Sequence, residues 1–241
     1  MNCDMGEGMP TDESIFPFIT SANIACGAHA GDPDTMRRSV ELALRHHVAI
    51  GAHPSYPDRA DFGRTDILES QPGKGDRPLS FDALRDTLAN QIETLRSICT
   101  EFDTDLHHVK PHGALYNRAA QDSAVSALIA QTISAIAPGI IIYGLSGSGM
   151  KPACEQAGLR FISEVFADRT YRPDGNLTPR TEPNALIHDP MTLLSQALTL
   201  IKKKPTAAET ICLHGDGDQA VFFARILRSE LERNGIAIAA P

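Results

Sequence analysis

Short apolar runs alternate along this chain with longer stretches in which apolar residues recur every three or four positions. Side chains alternate faces along a strand and return to one face every 3.6 residues along a helix, so the first kind of segment reads as strand and the second as helix. The pattern predicts strands at 2–4, 22–26, 48–52, 106–110, 140–145, 161–166 and 210–213. Helices are predicted at 34–46, 81–102, 123–136, 148–157, 191–203 and 219–234. In the first of these, Met36, Val40, Ala43, Leu44 and His47 keep nearly helical spacing, and Asp32 or Asp34 can cap the entry around Pro33.

Strands that alternate with helices from end to end build a parallel sheet joined by helical crossovers. About seven such units are close to the eight of the standard barrel, which makes the expected fold one α/β domain over 1–241, a (β/α) barrel of about seven strands. Two segments break the rhythm. Residues 55–79 are rich in Pro, Gly and Asp, and 168–189 carry Arg169, Tyr171, Arg172, Pro173, Pro179, Arg180 and Pro183. Both follow strands on the side where barrel loops build active sites, and both read as structureless lids.

Composition narrows the function without naming it. A formal net charge of -8 offers no basic surface for a phosphate backbone, which excludes nucleic acid as a partner. No apolar stretch reaches the roughly 20 residues that cross a bilayer, and the first residues lack the regions of a signal peptide, so the expected compartment is the cytoplasm. The 5 cysteines include no Cys-x-x-Cys pair, which speaks against a disulfide framework and a thiolate zinc knuckle.

Chemistry-bearing residues gather where strands end. The clusters are Asn2-Cys3-Asp4-Met5-Gly6-Glu7, Asn23 to Asp32 with Cys26 and His29, Gly51-Ala52-His53-Pro54, Lys110-Pro111-His112-Gly113, Glu164 to Arg169, and His214-Gly215-Asp216. One polar strand end is commonly a cap or turn, but strand ends in a parallel barrel converge on a single mouth. Parity sharpens the picture. His108, Lys110 and His112 share a face, as do Glu164, Phe166 and Asp168, and as do Asn2 and Asp4. An interior lined by charges and imidazoles requires partners or a ligand, the alternative being a self-satisfied pair such as Lys110 with Glu164.

Asp4, His29, His53, His112, His214 and Asp216 are suitable donors for a divalent ion, with hydrogen-bonded acid and base chemistry as the other use. His108 and His112 cannot both reach one ion, because strand residues four apart are roughly 13 Å from each other. Cys3, Cys26 and Cys212 lie near the mouth and read as inert buried thiols more readily than as nucleophiles. Gly144-Leu145-Ser146-Gly147-Ser148-Gly149-Met150-Lys151 imitates a phosphate loop, but Met150 stands where that loop needs lysine.

Taken together these motifs resemble the LamB/YcsF family, also called the family of 5-oxoprolinase A subunits, over essentially the whole chain. The resemblance is carried by Asn2-Cys3-Asp4 with Gly6-Glu7, by Ser21 to Gly27 through Asp32, and by Gly51-Ala52-His53-Pro54 with Tyr56-Pro57-Asp58. It continues through Lys110-Pro111-His112-Gly113-Ala114-Leu115-Tyr116-Asn117, Ser163 to Arg169 and His214-Gly215-Asp216. Departures are the short run before Asn2, Ala28 in place of an aromatic, and a longer, more polar 66–78.

The resemblance implies a glycoside hydrolase/deacetylase-like barrel, action on 5-oxoproline with ATP, and assembly with two further subunits, B and C. An unstrained lactam resists water, and phosphorylating its carbonyl oxygen makes the carbon electrophilic. The catalytic group expected on that basis is Asp4 or Glu7 to activate water, His112 or His53 to protonate the nitrogen, and Lys110 with Arg169 to hold anionic groups. Asn23, His29, Asp32, Glu164, Asp168, Arg169, His214 and Asp216 are the expected substrate contacts. The rival expectations are a metal-dependent deacetylase or amidohydrolase acting alone, and a non-catalytic small-molecule-binding subunit.

Overall fold

The computed structural model describes residues 1–69, 78–202 and 208–241. The end of the predicted 191–203 helix and part of the 55–79 segment lie outside the described residues. Seven parallel strands form a closed barrel in chain order. They are β1 (Asn2–Met5), β2 (Ser21–Ala25), β3 (Ala49–His53), β4 (His108–Val109), β5 (Ile141–Leu145), β6 (Arg160–Phe166) and β7 (Thr210–Leu213), which pairs back onto β1.

Around them lie α1 (Asp12–Ile15), α2 (Pro33–Arg45), α3 (Phe81–Glu101), α4 (Gly113–Gln121), α5 (Ser123–Ile136), α6 (Met150–Gln156), α7 (Pro190–Lys202) and α8 (Ala220–Arg233). Capping explains several starts. Asp32 accepts from the Thr35 amide with Pro33 just inside α2, Ser80 accepts from Ala83 at α3, and Asp122 accepts from Ala124 and Val125 at α5. None of the described helices is long and apolar enough to cross a membrane.

The structure departs from the sequence reading in three places. Helices α1 and α4 are absent from the periodic pattern; α4 begins one residue after the polar cluster at Lys110–His112, and the glycine there reads as a turn. Strand β4 has two residues rather than the predicted five. Pro111 lacks a donor, yet the chain keeps running along β3, with the amides of His107, Lys110 and His112 bonded to the carbonyls of Ile50, Ala52 and Pro54. Finally, 168–189 is not structureless: antiparallel bridges join Arg169 to Leu186 and Tyr171 to Leu177.

Strand parity divides the molecule into two environments. Cys3, Met5, Ala22, Ile24, Ile50, Ala52, Val109, Ile142, Val165, Ile211 and Leu213 face outward and join the main apolar core with Val40, Leu88, Ile92, Ile129, Ile133 and Leu227 from the helices. The other face is polar. Asn23 donates to Oδ1 of both Asn2 and Asp4 at 2.8 Å, Asn2 donates to Thr210 at 2.9 Å, and His108 donates through Nε2 to Asn23 at 2.7 Å. The His108 ring lies flat on Tyr143 with centroids 3.9 Å apart. Gly51 makes room for it, since a Cβ at that position would stand 2.1 Å from His108 Nε2. Bonded amide and imidazole groups thus floor the barrel, and free chemistry is possible only above them.

Candidate active site

Above that floor stands Lys110, 2% exposed. Its ammonium donates to Asp4 Oδ1 at 2.9 Å and to the Cys212 sulfur at 3.1 Å, and lies 3.1 Å from Glu164 Oε1. The Phe166 ring face lies 5.2 Å from the same nitrogen. Burial disfavours the charge, but the carboxylates of Asp4 and Glu164 outweigh it and hold Lys110 protonated well above its usual range. Burial likewise raises the Asp4 carboxyl, and His53 and Lys110 overcome it and pull it well below the usual carboxylate range. Both Glu164 oxygens and the Tyr116 hydroxyl are buried without a hydrogen bond of good geometry. Hydrogen-bonding capacity left over around a buried cation is what a polar ligand uses.

Beside Lys110 rises a wall of three imidazoles. Nε2 of His53 and Nδ1 of His112 are 2.9 Å apart, the His29 and His112 rings are stacked at 3.8 Å, and His53 stands edge-on to both. Glu7 Oε1 lies 3.1 Å from His29 Nε2, 3.4 Å from His112 Nδ1 and 3.9 Å from His53 Nε2. Asp4 Oδ2 is 3.3 Å from His53 Nε2. Burial lowers the affinity of His112 and His29 for a proton, and the neighbouring rings add to the effect. Each of Glu7, His29, His53 and His112 presents a donor atom within 4.8 Å of the others, the arrangement of a metal-ligand group; Asp4, Cys212 and His214 form a second such group. In the second, burial pushes the Cys212 thiol up, and its sulfur and Asp4 already accept from Lys110.

Two loops close the mouth. From the first, Phe62 meets the His29 and His112 rings edge-on, with its carbonyl accepting from His112 Nε2 at 2.9 Å. Gly113 lets this loop approach, because a Cβ there would meet the Gly63 carbonyl oxygen at 2.5 Å. The second loop contributes Arg180, and at the rim Arg64 and Arg180 both reach Asp216 Oδ2 at 3.0 Å. Asp168 accepts from the His214 amide and ring at 2.9 and 3.0 Å. Burial raises Asp168, but His214 overrides it and holds the carboxyl low. Next to this pair a cavity of about 330 Å³ opens between Ile187, His188 and Gln219. A larger cavity, about 1040 Å³, lies outside β5 and β6, lined by Ser146, Tyr171 and Ser195, and no acid or base group of the mouth lines it.

Asp4, Glu7, His53, Lys110, His112, Asn23, His29 and Glu164 therefore converge, with Asp168, His214 and Asp216 at one side of the same mouth. Two expected substrate contacts do not join them. Asp32 is exposed and its carboxylate caps α2, as its place before Pro33 allowed. Arg169 is turned into the second loop, where it donates to the carbonyls of Ala185 and Thr178 and pins the lid rather than facing a ligand. Not singled out for the site from the sequence were Ser55, Phe62, Arg64, Tyr116 and Arg180, although Tyr116 stands in the family motif and Arg180 among the arginines of the 168–189 lid. The irregular 55–79 and 168–189 segments held the only signal for four of them, and periodicity does not single out residues within a loop.

The chain matches known proteins over its whole length. The model of the LamB/YcsF family matches residues 1–241. The chain belongs to the LamB/YcsF family. The 5-oxoprolinase A subunit of Bordetella parapertussis is 44% identical, with 100% of this chain and 97% of that protein covered. Its counterpart from Shouchella clausii is 46% identical over the same shares, 100% and 97%. The crystal structure of a lactam utilization protein from Thermus thermophilus superposes with a TM-score of 0.87 at 34% identity, covering 100% of this chain and 98% of that one. A solved barrel from Enterococcus faecalis V583, 14% identical with a TM-score of 0.62, covers 99% of this chain and 95% of its own and shares the fold alone.

Proposed function

We propose that this LamB/YcsF protein is the ring-opening subunit of an ATP-dependent 5-oxoprolinase, converting 5-oxo-L-proline to L-glutamate together with partner subunits B and C. The observation that carries the reading is the buried Lys110 ammonium between Asp4 and Glu164, set against a wall of imidazoles and carboxylates. A lactam activated at oxygen develops negative charge on one side and needs proton traffic on the other; this mouth offers a fixed cation and a cluster of acceptors side by side.

In this reaction ATP gives its γ-phosphoryl group to the lactam carbonyl oxygen and leaves as ADP. Water adds to the ring carbon, the C–N bond breaks with a proton delivered to nitrogen, and the resulting acyl phosphate takes a second water to release phosphate and glutamate. Asp4 or Glu7 takes the proton of the attacking water, and the imidazole wall at His53 and His112 is where it passes to nitrogen. Lys110 holds the anionic oxygen or phosphate. The β5–α6 turn lacks the lysine of a phosphate loop, which supports assigning ATP binding to the partners. The cytoplasm suits the 5 unpaired buried cysteines.

The acceptor-rich wall also favours a second reading, a metal-dependent amidohydrolase that needs no ATP. Glutamate release and ADP formation, followed for this chain alone and with B and C, separate the two. The proposal expects both products only in the complex and only with 5-oxoproline present. Glutamate formed by the isolated chain without ATP supports the second reading, and ATP consumed by the isolated chain in step with 5-oxoproline overturns the division of labour.

A further inference from the structure

The imidazole wall has more acceptors than protons, and hydrogen-bond directions show it. His53 Nδ1 faces the Lys110 carbonyl at 2.8 Å and His112 Nε2 faces the Phe62 carbonyl at 2.9 Å. A carbonyl only accepts, so each ring carries its proton on that outer nitrogen. His29 follows the same rule: its Nδ1 is 2.9 Å from Ser55 Oγ, whose single hydrogen goes to the Tyr56 carbonyl at 2.7 Å. The inner nitrogens of all three rings are then bare lone pairs. Yet two of them, on His53 and His112, stand 2.9 Å apart, and the third faces Glu7 Oε1 at 3.1 Å.

Lone pairs held this close need a cation between them. A single proton serves the His53–His112 contact and leaves His29 facing a carboxylate; a second proton, shared by His29 and Glu7, is needed to satisfy that contact as well. A single metal ion answers every contact at once. Tetrahedral ligands about 2.0–2.1 Å from an ion lie about 3.3 Å from one another. Among Glu7 and the three rings four of the six spacings are 2.9, 3.1, 3.4 and 3.9 Å, and the two from His29 to the other rings are within 4.8 Å. The outer-nitrogen bonds to carbonyls and a hydroxyl are the supports that fix ring orientation in metal-ligating histidines.

We infer that the wall is a metal site, holding one divalent transition ion through His53 Nε2, His112 Nδ1 and Glu7 Oε1, with His29 Nε2 as the fourth ligand. The His29 and His112 rings are stacked 4° from parallel with their lone pairs in parallel planes, so His29 has to swing out of the stack to join the set, and His53, His112 and Glu7 carry the site without it. Imidazole-rich donors select zinc, cobalt or nickel over magnesium and calcium, which prefer all-oxygen shells. Asp4 Oδ2, 3.3 Å from His53 Nε2, stands beside the ion where it can accept a proton from ion-bound water; with Glu7 and the inner ring nitrogens engaged as ligands, that water and Asp4, rather than Glu7, His53 or His112, carry the protons of the reaction proposed above. The site rests on donor geometry alone and holds whether or not the substrate is a lactam.

The test is metal binding itself. The tag-free full-length chain is stripped with a chelator and titrated with Co2+, read by its visible d–d bands, and with Zn2+, read by elemental analysis after desalting. The expected result is saturation at about one ion per chain, displacement of cobalt by zinc, and a loss of affinity of about 100-fold or more in His53→Asn and His112→Asn. Circular dichroism identifies which variants are folded; if neither is, His29→Gln and the titration of the unaltered chain decide. Absence of saturable Co2+ or Zn2+ binding by the unaltered chain overturns the inference. So does binding that folded histidine variants retain in full, which marks an ion held elsewhere on the surface.

Discussion

Lys110 Nζ donates to Asp4 Oδ1 at 2.9 Å inside the barrel, above a floor of bonded amides and imidazoles. The same ammonium is 3.1 Å from Glu164, so one lysine neutralises two buried carboxylates. Lys110→Met removes the cation in contact with both. Breaking a buried pair from one side typically costs about 3–5 kcal/mol, and that loss is expected in urea unfolding in addition to weaker binding of anionic species. Adding Glu164→Gln to Lys110→Met is expected to recover part of it. A Lys110→Met variant within about 1 kcal/mol of the parent shows that the charges are solvated rather than mutually dependent.

Arg64 and Arg180 come from different loops and meet on one oxygen of Asp216. Rim ion pairs are each worth about 0–1 kcal/mol, so Asp216→Asn is expected to leave global stability nearly unchanged while loosening both loops. Hydrogen exchange reads this directly: faster exchange in 59–69 and 168–189 with the barrel strands unaffected. Identical exchange across those loops in parent and variant shows that the rim pairs do not latch them.

Asp12 sets a pH dependence. Burial pushes its carboxyl up to about 6, against the Gly6 amide that lowers it, and one of its oxygens has no partner. A raised folded-state pKa means that the folded chain binds this proton more tightly than the unfolded chain. The stabilisation is complete below the unfolded value near 4 and is lost as pH rises through about 6. Asp12→Asn is therefore expected to raise neutral-pH stability by roughly 1–3 kcal/mol and to flatten the decline between pH 4 and 6. Melting curves of both proteins at matched pH check it; parallel curves contradict it.

Gly51→Ala drives a methyl into the His108 ring, 2.1 Å from its Nε2. The ring is held by Asn23 and Tyr143 and has nowhere to go, so a loss of about 1–3 kcal/mol or more is expected by thermal denaturation. An unchanged melting temperature means that the floor is softer than its hydrogen bonds imply.

Much of this was legible in the sequence because it depends on period and parity. Apolar runs located the seven strands, and the two-residue repeat put Lys110, Glu164 and Asp4 on one face, where they meet. What could not be read depends on three-dimensional closure. Asp32 sits in a cluster of polar residues like the others, but its carboxylate turns back to its own helix; Arg169 turns into its own loop. The meeting of His53 with His112 follows from β3 and β4 being neighbours, since residues 59 apart in the chain carry no pairwise signal. Helix α4 was hidden because Pro111 and Gly113 read as a turn.

The central claim, that lactam opening takes place at this mouth, is tested most directly by glutamate release from a complex of B and C assembled with His112→Asn. His112 contacts His53 and Glu7 at the centre of the wall. With folding and assembly verified by circular dichroism and size-exclusion chromatography, glutamate formation is expected to be at least about a hundredfold slower than with the parent chain. A folded, assembled His112→Asn complex that releases glutamate within a fewfold of the parent rate contradicts the claim.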